Sequence, residues 1–281
     1  MNVNFTKLHG AGNDYVFIDA RGKDHDWSEL AVSMSDRHKG IGSDGIILAA
    51  SSSVADLRMI MFNADGSRGL MCGNGIRCLV RFAFDEAIID SSCPVVDVET
   101  DSGVKQVTPI WEDGRMVRAK VGMGEPILEP EHIPVIAPSS EVLQDYELTL
   151  KDRVLNISCV SMGNPHAICF MDVDLNSYEL DKIGPIVEFH EMFPERVNFE
   201  IARLVDSSNI EVRVWERGSG LTEACGTGAC AVAVSARLHG FIGDHVTVHL
   251  PGGDLSIDWS GQGEVVMDGP VESVFKGQWP L

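Results

Sequence analysis

The stretch Asn63-Ala-Asp-Gly-Ser-Arg-Gly-Leu-Met-Cys72-Gly-Asn-Gly-Ile-Arg-Cys78 puts a cysteine directly before Gly73-Asn74-Gly75, and an apolar helical pattern follows. A second stretch repeats the device: Glu216-Arg-Gly-Ser-Gly-Leu-Thr-Glu-Ala-Cys225-Gly-Thr-Gly-Ala-Cys230. In each, a polar residue, Asn63 or Glu216, stands nine positions before the cysteine. A thiol at a helix N-terminus sits near roughly half a positive charge and several unpaired N–H groups. Such a setting can lower a cysteine pKa from ~8.5 into the ~3.5–7.5 range. Glycines after the cysteine let backbone N–H groups approach a ligand with no side chain between.

A second pair of motifs keeps step with the first. Gly12-Asn13 is followed by Asp-Tyr-Val-Phe-Ile-Asp19, and Gly163-Asn164 by Pro-His-Ala-Ile-Cys-Phe-Met-Asp172. These lie 151 positions apart and the cysteines 153. Two similar halves are expected, each with several strands around one helix that carries its cysteine at the start. Residues 3–9 and 15–20 read as strands around a Gly-rich turn. Asp26-Trp27-Ser28-Glu29 has capping-box spacing, so a helix should run to about His38. Ile76, Leu79, Val80, Ala83, Phe84 and Ala87 fall at helical spacing. Residues 122–140, with Pro126, Pro130, Pro134 and Pro138, read as a connector on the surface. A helix is expected from about Asp181 to Met192, with Pro185 in its first turn.

Composition narrows the function. The 281 residues carry 42 acids against 22 bases, a formal charge of −20. Phosphate binding needs clustered Lys and Arg, so nucleic acid and anionic membranes are not the expected partners. No apolar run approaches the ~18 residues of a membrane span, and no secretory signal opens the sequence. A reducing cytoplasmic setting is expected, with the seven cysteines as free thiols. None forms a Cys-x-x-Cys pair, so a structural zinc site is not expected.

Two helix-start thiols suit one kind of chemistry. Inverting a stereocentre beside a carboxylate removes a proton from one face and returns one to the other. A single base cannot easily serve both faces, whereas a thiolate and a thiol can. Like charges resist joint ionisation, which favours that mixed state. Helix N-termini would stabilise the charge that develops on the carboxylate. No metal or organic cofactor is then required, and neither Cys-Gly-x-Gly loop matches a phosphate-cradling motif.

These residues resemble the diaminopimelate epimerases, of the cofactor-independent proline-racemase-like superfamily. The resemblance rests on Lys7-Leu-His-Gly-Ala-Gly-Asn-Asp14, Phe62-Asn-Ala-Asp-Gly-Ser67, Met71-Cys-Gly-Asn-Gly-Ile-Arg-Cys78, Met162-Gly-Asn-Pro-His166, Phe193-Pro194 through Val197-Asn198, Glu216-Arg-Gly218 and Ala224-Cys-Gly-Thr-Gly228. It implies an α+β fold of two pseudo-symmetric domains, each a mixed, largely antiparallel sheet wrapped around a central helix. It places 1–118 and 270–281 in one domain and 119–269 in the other, with a cleft between, often in a homodimer. It implies interconversion of LL- and meso-diaminopimelate, an amino-acid substrate, on the way to lysine and peptidoglycan. By position, Cys72 and Cys225 become the two acid–bases. Gly73 and Asn74, with Gly226 and Thr227, would hold the reacting carboxylate. Asn13, Asn63, Asn164, Asn198, Glu216 and Arg217 would bind the distal amino-acid end or line the pocket, and Arg217 can pair with the distal carboxylate. His166 and Glu216 would tune the thiols. Two positions depart from the pattern: Gly45 and Leu221 stand where many members carry a polar side chain and a glutamate.

Rival readings are a racemase for proline or histidine, a thiol-less isomerase of the same architecture, an amino-acid-binding module, and a thiol redox sensor. A binder needs no paired cysteines, and a proline enzyme needs no distal Arg217 and asparagines. Cys78, Cys93, Cys159, Cys169 and Cys230 are expected in the core as small apolar side chains.

Overall fold

The computed structural model describes residues 2–137 and 141–281, so Pro138, the last proline of the expected connector, lies outside the described residues. The chain folds as two compact units, Met1–Gly122 with Asp268–Leu281, and Met123–Met267. Each is sheet-rich α+β.

In the first unit, β1 (Asn2–Gly10) and β2 (Asn13–Asp19) form an antiparallel hairpin. Its two-residue turn, Ala11-Gly12, has φ of 51° and 81°, the left-handed pair that a tight hairpin requires. Helix α1 (Trp27–Ser35) follows, and Asp26 Oδ1 accepts from Glu29 N–H at 3.0 Å. It ends before the expected His38 because the Asp36 carboxylate takes the N–H groups of His38 and Lys39, a local bond that competes with helix. Then come β3 (Gly45–Ala50), β4 (Leu57–Asn63), the short β5 (Arg68–Gly69), helix α2 (Gly73–Asp85), β6 (Val96–Thr100), β7 (Gly103–Glu112) and β8 (Arg115–Gly124). The pairs β2–β3 and β4–β6 are parallel; the pairs β1–β2, β3–β4, β4–β5, β6–β7 and β7–β8 are antiparallel.

The second unit repeats this order. It comprises β9 (Tyr146–Thr149), β10 (Val154–Ser161), β11 (Pro165–Phe170), helix α3 (Leu180–Glu188), β12 (Asn198–Asp206), β13 (Asn209–Glu216), the short β14 (Gly220–Thr222), helix α4 (Gly226–Leu238), β15 (His245–Leu250), β16 (Gly253–Asp258) and β17 (Val265–Pro270). Here β10–β11 is antiparallel, β11–β12 parallel, β12–β13 antiparallel, β13–β15 parallel and β15–β16 antiparallel. The match with β1 to β7 is pair for pair, and α2 and α4 are both 13 residues long. The outer strands exchange places. β9 follows the first run of strands but pairs with β10 in the second unit, while the last strand, β18 (Glu272–Pro280), pairs with β1 in the first.

Side-chain alternation makes the layers. In β2, Val16 and Ile18 join the cluster on α1 with Ala31 and Met34, while Phe17 meets Phe82 of α2. In β11 and β12, Ala167, Cys169, Phe199 and Ile201 pack with Leu180, Ile183 and Val187 of α3. The intervening residues of these strands, His166, Ile168, Glu200 and Ala202, are therefore on the opposite face, which α4 covers. Both central strands are buried on both sides, as in the first unit.

Two expectations need correction. Pro185 is not in the first turn of α3 but inside it. An interior proline forfeits one helix hydrogen bond and costs about 3 kcal/mol, which the buried Leu180, Ile183 and Val187 offset. The described part of the 122–140 connector is not a surface excursion. Ile133 and Val135 are buried in the core of the second unit, and Ile127 bridges to Ser161. No helix of the described residues is long and apolar enough to cross a membrane.

Candidate active site

Cys72 and Cys225 are both N-cap residues. Each has extended backbone, and its sulfur accepts from the N–H three residues on: Gly75 at 3.3 Å and Gly228 at 3.4 Å. Each carbonyl opens its helix, accepting from Ile76 N–H at 2.8 Å or Ala229 N–H at 2.9 Å. The last glycine of Cys-Gly-x-Gly has a packing reason. A Cβ at Gly75 would lie 2.4 Å from Ile47 Cδ1, and one at Gly228 would lie 2.7 Å from Glu200 Oε1. The helix starts can approach β3 and β12 only without a side chain there.

Around Cys72 the first unit assembles Asn13 and Tyr15, with Asn74 in the first turn of the helix it caps. The thiol donates to Asn13 Oδ1 at 3.2 Å, and Asn13 Nδ2 donates to Asp44 Oδ2 at 2.6 Å. Asp44 is in turn bound by Arg37 at 2.8 Å, and Arg37 and Lys7 both pair with Asp14 at 2.7 Å. Burial alone would raise the Asp14 pKa, but hydrogen bonds from Arg37 and Lys7 hold it below the ordinary value. The Tyr15 hydroxyl is bonded to Cys72 and Asn13; burial first, then Cys72, pushes its pKa well above that of a free phenol. Asn63 donates from Nδ2 to Ser67 Oγ at 2.9 Å. The Asn74 side chain is buried and accepts from Arg77 at 2.8 Å, so what Gly73 and Asn74 can offer a ligand is backbone N–H.

In the second unit Thr227, Asn164, His166 and Glu200 form a series of contacts leading from Cys225, and Glu216, with Thr222, also meets it. His166 Nδ1 stands 2.7 Å from Glu200 Oε1 and Nε2 3.1 Å from Asn164 Oδ1. Asn164 Nδ2 donates to Thr227 Oγ1 at 3.3 Å, and that hydroxyl is 3.5 Å from Cys225 Sγ. Glu216 is bonded to the Thr222 hydroxyl and to Cys225. Burial raises the Glu216 pKa, against those two bonds. Asn198 donates to Pro165 O and accepts from Arg217 N–H, both at 2.9 Å. The Arg217 guanidinium is exposed and donates to Glu195 O at 3.0 Å. Gly226, like Gly73, is in the first turn beside its cysteine.

The helix start does not lower the Cys225 pKa, contrary to the general expectation. Burial, then the charges of Glu216 and Glu200, push it well above the ordinary cysteine value; the Thr227 hydroxyl and Gly228 N–H oppose this and lose. Desolvation of a thiolate outweighs one partly shielded dipole end. Burial pushes Cys78 and Cys159 up to about 12, with the Glu200 charge adding to the rise at Cys159.

The repeat aligns the sites residue by residue: Asn13 with Asn164, Tyr15 with His166, Gly45 with Asn198, Ile47 with Glu200, Asn63 with Glu216, and Asn74 with Thr227. Gly45 accounts for one departure. A Cβ there would lie 2.2 Å from Phe62 O, so no side chain fits. Leu221, the other, is exposed in β14. Tyr15, Asp44, Glu200 and Thr222 were passed over in the motif reading. Tyr15 and His166 hold equivalent places after their asparagines, a signal the motif repeat contained.

Comparison with known proteins agrees with this architecture. The family pattern for diaminopimelate epimerase matches residues 5–129 and 158–274. A diaminopimelate epimerase from Methanococcus maripaludis (strain C5) is 48% identical over 278 residues, 98% of this chain and 99% of the relative. One from Acetivibrio thermocellus is 44% identical over 282 residues, 99% of both. Among solved structures, a phenazine biosynthesis protein of the PhzF family from Bacillus anthracis superposes with a TM-score of 0.71 at 14% identity, covering all of both chains. A hydroxyproline epimerase from Agrobacterium vitis gives 0.70 at 15% identity, over 99% of this chain and 92% of that one. At such identity these two speak for the fold alone. The chain belongs to the diaminopimelate epimerase family.

Proposed function

We propose that this protein interconverts LL- and meso-diaminopimelate without a cofactor, using Cys72 and Cys225 as paired acid and base, in the supply of lysine and peptidoglycan precursors. The observation that supports this most is the twinning of two N-cap cysteines on matching buried helices. A redox sensor or a binding module has no need of two matched anion-stabilising helix starts.

In one direction the Cys72 thiolate removes the α-proton. The C–H bond breaks, an S–H bond forms, and the electron pair passes onto the α-carbon and its carboxylate. The Cys225 S–H then breaks and a new C–H forms on the opposite face, leaving Cys225 as thiolate. The reverse direction exchanges the roles. Cys225 suits the proton-donating start, because its surroundings keep it protonated at neutral pH. The N–H groups of Gly73, Asn74, Gly226 and Thr227 receive the carboxylate. Asn13, Asn63, Asn164, Asn198, Glu216 and Arg217 bind the distal amino-acid group, and His166 and Glu216 set the charge around Cys225. We further assign residues 1–118 with 270–281, and 119–269, as the two epimerase domains of a cytoplasmic homodimer.

The test is incubation of the reduced protein with LL-diaminopimelate in heavy water, and separately with proline and histidine. Inversion with deuterium entering at the α-carbon of diaminopimelate is expected, and none with the others. Turnover of proline, or no α-deuterium with diaminopimelate, overturns the assignment.

A further inference from the structure

β12 carries an acid on the face that α4 covers. Glu200 is wholly buried, and its second oxygen, Oε2, has no hydrogen-bond partner among the described residues. From Oε1 a series of contacts runs to the sulfur: His166 Nδ1 at 2.7 Å, His166 Nε2 to Asn164 Oδ1 at 3.1 Å, Asn164 Nδ2 to Thr227 Oγ1 at 3.3 Å, and Thr227 Oγ1 to Cys225 Sγ at 3.5 Å. The series ends on the helix turn where it began, since Glu200 Oε1 also lies against Gly228, whose N–H meets the same sulfur. Both nitrogens of His166 face oxygen acceptors, a carboxylate on one side and an amide carbonyl on the other. A neutral imidazole donates from only one nitrogen, so the ring can donate to both oxygens only if it carries two protons. A cation there would balance the buried carboxylate, as a charge away from water needs a partner.

The first unit does without this device. Ile47 stands in place of Glu200 and Tyr15 in place of His166. There Asn13 reaches the sulfur directly and is held by the partly exposed Asp44.

We propose that Glu200 is a positioning residue for the Cys225 half-reaction: it holds His166 doubly protonated and through it orients Asn164 and Thr227 onto the sulfur. This rests on the acid–base role given to Cys225 above. In E200Q the shape remains and the charge is lost. The ring then carries one proton, and Asn164 and Thr227 lose their fixed orientation.

The experiment combines nitrogen NMR of histidine-labelled protein with kinetics. Wild-type His166 is expected to show both ring nitrogens protonated at neutral pH, and E200Q only one. In E200Q, kcat should fall about 100-fold while KM changes by less than about threefold. An E200Q protein with the wild-type ring signature and wild-type kcat overturns the proposal. If E200Q does not fold, the wild-type spectrum decides alone: one ring proton overturns the proposal and two support it. The spectra need no substrate, so a protein that inverts no diaminopimelate overturns the proposed function and leaves this test standing.

Discussion

At the scale of single residues, each cysteine is a helix cap and, in the proposed reaction, an acid–base group, and the two roles separate by experiment. Cys72→Ala and Cys225→Ala should each lower inversion by at least about 10³-fold. The lost cap should cost only about 1 kcal/mol of stability, read from thermal or urea unfolding. Asp14 gives a prediction with a sign. Its folded pKa is depressed, so its stabilising contribution is full above the unfolded value of 3.8 and fades as pH falls through the folded one. Asp14→Asn should therefore cost about 1–2 kcal/mol near pH 7, since exposed Arg37 is partly screened. The gap between wild type and variant should hold down to the unfolded value of 3.8 and close only as pH falls through the lower folded pKa. Denaturant melts across that range measure it. The cysteine caps and their glycines were legible because a helix start packed tightly against a strand demands Gly at a set spacing. Glu200 was not, because a buried polar group is recognised by what surrounds it, and its partners lie in other elements.

At the scale of elements, the packing of a helix start against a strand sets what the loops tolerate. Gly75→Ala would drive a methyl into Ile47 Cδ1 and should cost about 1–3 kcal/mol. Adding Ile47→Val removes that carbon, so the double variant should be more stable than the sum of the two changes, with a coupling of about 0.5 kcal/mol or more. A double-mutant cycle in urea checks this. α2 and α4 were legible from their glycines and apolar spacing. α1 was read too long because the side chain of Asp36 stops it, and Pro185 was placed in the first turn of α3 whereas packing lets the helix carry it inside. β12 went unread: buried on both faces, it shows no alternation, and its charged Glu200 argues against burial until His166 is seen beside it.

At the scale of the whole chain, the repeat was visible at two pairs of motifs and runs through the strand pairs from β1–β2 to β6–β7 and from β10–β11 to β15–β16. The matching strands share topology rather than residues, since a sheet needs only the right alternation and can accept many side chains. The outer strands carry the sharpest expectation. β1 has β18 along its length, from Asn2 against Pro280 to His9 against Glu272, so deleting 272–281 should leave an open edge. The truncated protein should aggregate, or melt at least about 5 °C lower, by light scattering and calorimetry.

Consider a nick between Thr149 and Val154, at the seam of the duplication. Each fragment would retain its own helices and motif, yet would hold a terminal strand that belongs on the other fragment's sheet. Neither should persist alone, and co-expression should rescue both, because each supplies what the other lacks. The arrangement is that of two identical short chains that once traded their tails and were later joined end to end. A single-repeat relic built from this sequence should accordingly be found as a pair, never as a monomer.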